Sequence, residues 1–199
     1  MLKEKTRIAV FVSGGGTNLQ AILDKRPENG EIVLVIASNP EAYALERARR
    51  AGVPAKAVSR KDCASQAEFE EKIEALMQEY GVQLIVLAGF LTILSADFTA
   101  RYPKRILNVH PSLIPSFCGA GFYGLRVHEA ALERGVKITG ATVHYVNEIP
   151  DGGEILLQKA VEICPGDTPE VLQRRVMEQA EWNILPQAVE LVSKRLREE

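Results

Sequence analysis

"RIAVFVSGGGTNLQAIL", residues 7–23, changes its periodicity halfway along. RIAVFV is an apolar run of strand length, and NLQAIL beyond the glycines has helical spacing, with Leu19, Ile22 and Leu23 on one side. Strands without apolar–polar alternation are buried on both faces, and helical crossovers supply the cover. The same unit recurs along the chain. Apolar runs at 31–38, 54–58, 84–89 and 106–110 are separated by helical patterns at 18–26, 42–52, 66–81 and 95–102. The stripe of Phe69, Ile73, Leu76 and Met77, stopped by Gly81, is the clearest of these helices. The expected fold class is therefore α/β, a doubly wound and mostly parallel sheet.

After residue 135 the pattern changes. Two long strand candidates, 137–146 and 154–163, flank Pro150-Asp151-Gly152-Gly153, which predicts a hairpin. A closing helix is expected from Thr168 to Arg197, with Thr168 as cap, Pro169 in its first turn and a kink or break at Pro186.

The 199 residues predict a single domain, 1–199, with a substantial core. A net charge of −2 gives no reason to expect nucleic acid or an anionic membrane as partner. No signal-peptide pattern or run of membrane-spanning length occurs. Cys63, Cys118 and Cys164 are odd in number and widely spaced, which fits a reducing cytoplasm better than disulfides or zinc. His110, His128 and His144 have no metal-ligand spacing, so no metal is expected.

Gly14, Gly15 and Gly16 stand where the first strand turns into the first helix. Glycine there permits positive φ and close approach of a ligand, and a helix N-terminus suits a phosphate. The spacing matches neither a Walker loop nor G-x-G-x-x-G, so a simple phosphate monoester is favoured over a nucleotide. The plain alternative is a tight turn with Thr17 or Asn18 as N-cap.

In "ILNVHPSL", 106–113, Asn108 and His110 are two residues apart and share one face of a strand. They project from its carboxyl end, on the sheet edge that also carries the glycine turn. An amide N–H₂ beside an imidazole suits an oxygen that gains negative charge, as in acyl transfer, and the imidazole can move a proton. The structural alternative is an Asn and a His that merely brace the loop. Such a His is oriented by a carboxylate. Asp151 is one candidate among 26 acidic residues, although turn chemistry alone explains it. His128 reads as an exposed helix start, His144 as a position alternating along a strand, and "LERARR", 45–50, as a solvated helix face. Cys118 carries no mark of a nucleophile.

Together "VSGGGTNLQAI", "LAGFLTILS", "ILNVHPSLIPSF", "GATVHYVNEIPDGGEILLQ" and "EWNILP" resemble the phosphoribosylglycinamide formyltransferase family, folate-dependent formyltransferases of purine synthesis. The resemblance runs in order from about residue 6 to residue 195. It implies a Rossmann-like formyltransferase fold and transfer of the formyl group of 10-formyltetrahydrofolate to the amine of 5'-phosphoribosylglycinamide. Asn108 and His110 would then be the catalytic amide and imidazole, and Asp151 the catalytic carboxylate. Gly16, Thr17 and Asn18 would bind the ribonucleotide, chiefly its phosphate, and Glu181 its ribose. Leu91, Thr92, Ile93 and Leu94 would line a pterin pocket shared by Asn108 and closed by Glu148 to Pro150, with Gln66 near the folate. Several positions depart from the family pattern. Thr92 replaces a frequent Arg, Gln66 a basic residue and Trp182 a His, no Lys lies near Met177 or Glu178, and "SFCGAGFYGLRVHEA", 116–130, is longer.

The alternatives are a formyltetrahydrofolate hydrolase, which usually has an N-terminal regulatory domain, and methionyl-tRNA formyltransferase, which adds a C-terminal domain and a basic surface. A third is a non-catalytic phosphate-ligand binding protein on the same fold. A first strand starting by residue 7, the length and the charge favour the transferase reading. Its expected partners are small molecules only, with a monomeric or weakly dimeric chain.

Overall fold

A computed structural model describes residues 4–199. The strands β1 (Thr6–Val12), β2 (Gly30–Ala37), β3 (Ala55–Ala57), β4 (Leu84–Leu87), β5 (Ile106–His110), β6 (Ile138–Tyr145) and β7 (Ile155–Glu162) form one sheet, in the order β3-β2-β1-β4-β5-β6-β7. β1 to β5 run parallel, while β6 and β7 are antiparallel. The sheet is thus mixed and mostly parallel, as expected, with the hairpin at one edge. Its strand order reverses at β1, between β2 and β4, which makes the carboxyl ends of β1 and β4 a topological switch point.

The helices are α1 (Thr17–Lys25), α2 (Tyr43–Arg50), α3 (Gln66–Glu79), α4 (Ala96–Arg101), α5 (Leu125–Arg134), α6 (Pro169–Val176) and α7 (Trp182–Glu198). They cover the two faces of the sheet and account for its continuous apolar strands. Ile8, Val10 and Val12 of β1 pack with Leu19 and Ile22 of α1 and Leu185 and Val189 of α7. Ala9 and Phe11 point the other way, against Phe69, Ile73 and Met77 of α3 and Phe98 of α4. β5 departs from this rule at one end only. Leu107 and Val109 belong to the first layer throughout, whereas the opposite face changes from buried Ile106 to Asn108 and His110.

Three expectations are corrected by the structure. The N-cap of α1 is Gly16, in the left-handed region at φ 72, and Thr17 is already helical. A Cβ on Gly16 would lie 2.6 Å from that of Ala44, so both backbone conformation and packing demand glycine. The closing helical segment breaks not at Pro186, which lies inside α7, but at a π-helical turn over Met177–Glu181. Proline lacks an N–H for the carbonyl four residues back and crowds it, so the irregularity sits just N-terminal to the proline. His128 is buried rather than exposed, because Val127, His128 and Ala131 form the inner face of α5. Burial there, with the neighbouring His110, pushes its imidazole down to about 4.

Candidate active site

Ser13, the residue after β1, joins two loops. Its Oγ accepts the Leu91 N–H at 2.9 Å and its N–H donates to the Gly89 carbonyl at 3.1 Å. The glycine turn and the 89–94 loop are therefore neighbours at the switch point. The Gly14 carbonyl accepts from the Ala44 N–H at 3.1 Å, and the Gly15 carbonyl from Arg47 Nε at 2.8 Å. In trans peptides the N–H opposes the carbonyl, so the amides of Gly15 and Gly16 face away from α2. A Cβ on Gly14 or Gly15 would meet nothing within 4 Å, which leaves this backbone open to a ligand. Arg47 also corrects the reading of residues 45–50 as wholly solvated. Its guanidinium turns back to the glycine turn and to Gln20, while Arg49 and Arg50 pair with Glu46 at the surface.

The π-helical turn carries Glu181 into contact with the start of α1. Asn18 Nδ2 donates to Glu181 Oε2 at 2.7 Å, and both residues are buried. Burial pushes the Glu181 carboxyl up to about 7, against the lowering effect of the Asn18 hydrogen bond. Asn18 Oδ1 is buried without a hydrogen-bond partner, so this pair offers an acceptor beside the glycine turn.

Asn108, His110 and Asp151 meet at the end of β5. His110 Nδ1 lies 3.5 Å from Asp151 Oδ2, and Asn108 Nδ2 lies 3.5 Å from Asp151 Oδ1. The other ring nitrogen of His110 donates to the Phe117 carbonyl at 2.9 Å, and the Gly119 N–H donates to Asp151 Oδ2 at 2.8 Å. The long 116–124 segment therefore braces both members of the pair through its backbone. Burial raises the Asp151 carboxyl, but the His144 ring, the Gly119 amide and His110 outweigh it and hold the group below the usual range. Asp151 sits at φ 55, a left-handed conformation rare for a residue with a side chain. Its loop is held by Gly153, where a Cβ would come within 1.8 Å of the Tyr145 carbonyl.

His144 is the neighbour that the sequence reading passed over. It pairs with Asn108 in the antiparallel register, and its Nε2 lies 3.1 Å from Asn108 Nδ2. Directly opposed residues of two strands share a face, but that signal is legible only once β5 and β6 are known to pair.

A cleft of about 570 Å³, counting its open mouth, adjoins the trio. Leu91, Thr92, Ile93, Leu94, Glu148 and Pro150 line it, together with Asn108, His144 and Asp151. Gln66 does not. It stands behind the loop, donating to the Ile93 carbonyl at 3.1 Å and to Glu70 at 2.7 Å while accepting from Arg60 at 3.2 Å. A larger hollow of about 1350 Å³ beside α1 and α2 is lined by none of the trio. Among the described residues no group of three His, Cys, Asp or Glu side chains could hold a metal, and no helix is long and apolar enough to cross a membrane.

Residues 6–189 match the model of the formyl transferase family. Phosphoribosylglycinamide formyltransferase of Haemophilus influenzae is 42% identical over 183 residues, 90% of this chain and 84% of that protein. The trifunctional purine biosynthetic protein adenosine-3 of Gallus gallus is 43% identical over 95% of this chain, which spans only 18% of that longer protein. The crystal structure of glycinamide ribonucleotide transformylase 1 from Symbiobacterium toebii superposes with a TM-score of 0.89 at 43% identity, covering 96% of this chain and 89% of that one. With residues 6–189 matched by the family model and nearly its whole length by these relatives, the chain belongs to the formyl transferase family, within the phosphoribosylglycinamide formyltransferase branch.

Proposed function

We propose that this chain, acting as one formyltransferase domain, transfers the formyl group of 10-formyltetrahydrofolate to the amine of 5'-phosphoribosylglycinamide. One observation carries the reading. The Asn108–His110–Asp151 cluster adjoins a cleft whose 91–94 wall is tied through Ser13 to an open glycine turn. The cleft fits a flat heteroaromatic group, since the largely exposed side chains of Leu91, Ile93 and Ile149 offer apolar surface for it to cover. The folate, when bound there, supplies the formyl carbon that the amine attacks.

The chain's own groups then have distinct work. The amides of Gly15 and Gly16 and the start of α1 receive the phosphate, and Glu181 with Asn18 receives the ribose hydroxyls. Asn108 Nδ2–H and the Nδ1–H of protonated His110, whose Nε2–H is held by the Phe117 carbonyl, donate to the carbonyl oxygen as it gains negative charge. Such a donor is typically worth about 3–4 kcal/mol of barrier. Asp151 pairs with His110 across 3.5 Å and accepts the proton that the attacking amine sheds, directly or through a water; the tetrahedral adduct then breaks its carbon–N10 bond, and that proton passes to N10, which departs as tetrahydrofolate. The unpaired state of Cys63, Cys118 and Cys164 is in keeping with action in a reducing cytoplasm.

The test is deformylation of 10-formyltetrahydrofolate, followed spectroscopically, with and without the ribonucleotide. Turnover that requires the ribonucleotide is the expected result. Turnover in its absence would make the chain a hydrolase, and none in either case would leave a binding protein.

A further inference from the structure

His144 has a hydrogen-bond pattern that determines more than its own position. The imidazole is 2% exposed. Its Nδ1 lies 2.8 Å from the Tyr145 carbonyl, and a carbonyl only accepts, so Nδ1 carries the hydrogen. A neutral ring then has a lone pair on Nε2 and can only accept there. Nε2 faces two groups, Asn108 Nδ2 at 3.1 Å and Asp151 Oδ1 at 3.5 Å. The amide is the donor and the closer of the two. Were the Asn108 carboxamide reversed, its oxygen would meet both the Nε2 lone pair and the Asp151 carboxylate, three acceptors together. The ring therefore decides which end of the amide faces the carboxylate and the cleft.

We infer that His144, neutral and hydrogen-bearing on Nδ1, is a positioning residue that orients the Asn108 carboxamide with its N–H₂ toward the reacting oxygen. The inference rests on Asn108 acting as a donor in the proposed reaction. The titratable group that faces the ring is Asp151, whose other oxygen is shared with His110 of β5; the register neighbour on β7 is Ile155.

The test uses His144→Leu, which removes the acceptor, and His144→Gln, whose amide oxygen can accept without titrating. The Leu variant is expected to lose roughly 10–100-fold in kcat, with the KM for the ribonucleotide within about threefold of the parent. The Gln variant should recover most of that loss. A Leu variant within about twofold of the parent kcat would overturn the inference. A readout independent of turnover is the ring-nitrogen NMR spectrum near pH 7.5, with His144 assigned by its disappearance in the Gln variant. An unprotonated Nε2 is expected, and a protonated one refutes the assignment even if the Leu variant fails to fold. Absence of turnover in the parent would instead sink the proposed reaction, while the spectrum still decides the state of the ring.

Discussion

In the proposed reaction Asn108 and His110 act through N–H groups that strengthen their hydrogen bonds as charge develops, so truncating either should act on kcat more than on folding. Asn108→Ala and His110→Ala are each expected to lower kcat on the order of 10²–10⁴-fold, with the far-ultraviolet dichroism unchanged. Near-parental turnover in either would remove the residue from the mechanism. Glu181, proposed to receive the ribose, also acts on stability. Its ordinary value is 4.5, and burial takes it to about 7 in the folded chain. Below the lower value both states hold the proton. Between the two values the unfolded chain releases it and the folded chain does not, so stability falls as pH rises through that window. The loss is on the order of 3 kcal/mol and is complete above the folded value. Glu181→Gln is expected to flatten the dependence of melting temperature on pH between about 5 and 7.5, and an unchanged slope would place the titration elsewhere.

Two local devices hold the cleft from behind. Buried Glu70 of α3 accepts from the Ser95 N–H at 2.6 Å, from the Ser95 hydroxyl at 2.6 Å and from Gln66 at 2.7 Å, which ties α3 to the loop that lines the cleft. Glu70→Ala leaves those donors without their acceptor. It is expected to lower stability by about 1–3 kcal/mol and to raise the KM for the folate several-fold with little change in kcat. Thermal melts and steady-state kinetics on the same preparation check both halves. Gly153→Ala acts differently, because the new methyl must displace the Asp151 loop or the end of β6. Roughly 2–4 kcal/mol of stability and more than tenfold in kcat should go together. Elements are also where the sequence was most legible. The stripe of α3 and the Thr168–Pro169 start of α6 announce themselves through spacing and capping chemistry. The π-helical turn before α7 does not, because a proline shows that a helix is disturbed without showing where the disturbance settles. His128 failed for a related reason, since polarity marked it as exposed while tertiary packing of α5 turned it inward.

The whole molecule is needed to complete the site, because its parts come from both ends of the chain and from the middle. Asn108 and His110 are readable as a pair from two-residue spacing alone, but Asp151 and His144 reach them through a strand pairing that spans more than thirty residues. Glu181 meets Asn18 across 163 positions, and only the family resemblance pointed there. A ligand that bridges such parts should stabilise the fold as a unit. The ribonucleotide at about 100 times its Kd is expected to add roughly 2.7 kcal/mol, or several degrees in Tm, and Glu181→Ala should abolish most of that shift. No shift in the parent would mean that the glycine turn does not hold this substrate. The strand order has a consequence for synthesis. β1 lies between β2 and β4, yet Leu84 follows Val12 by some seventy positions. On a ribosome adding about 5–20 residues per second, one edge of β1 waits several seconds for its partner. During that interval the nascent chain exposes its future centre, and a chaperone that shields it there protects the protein before it exists.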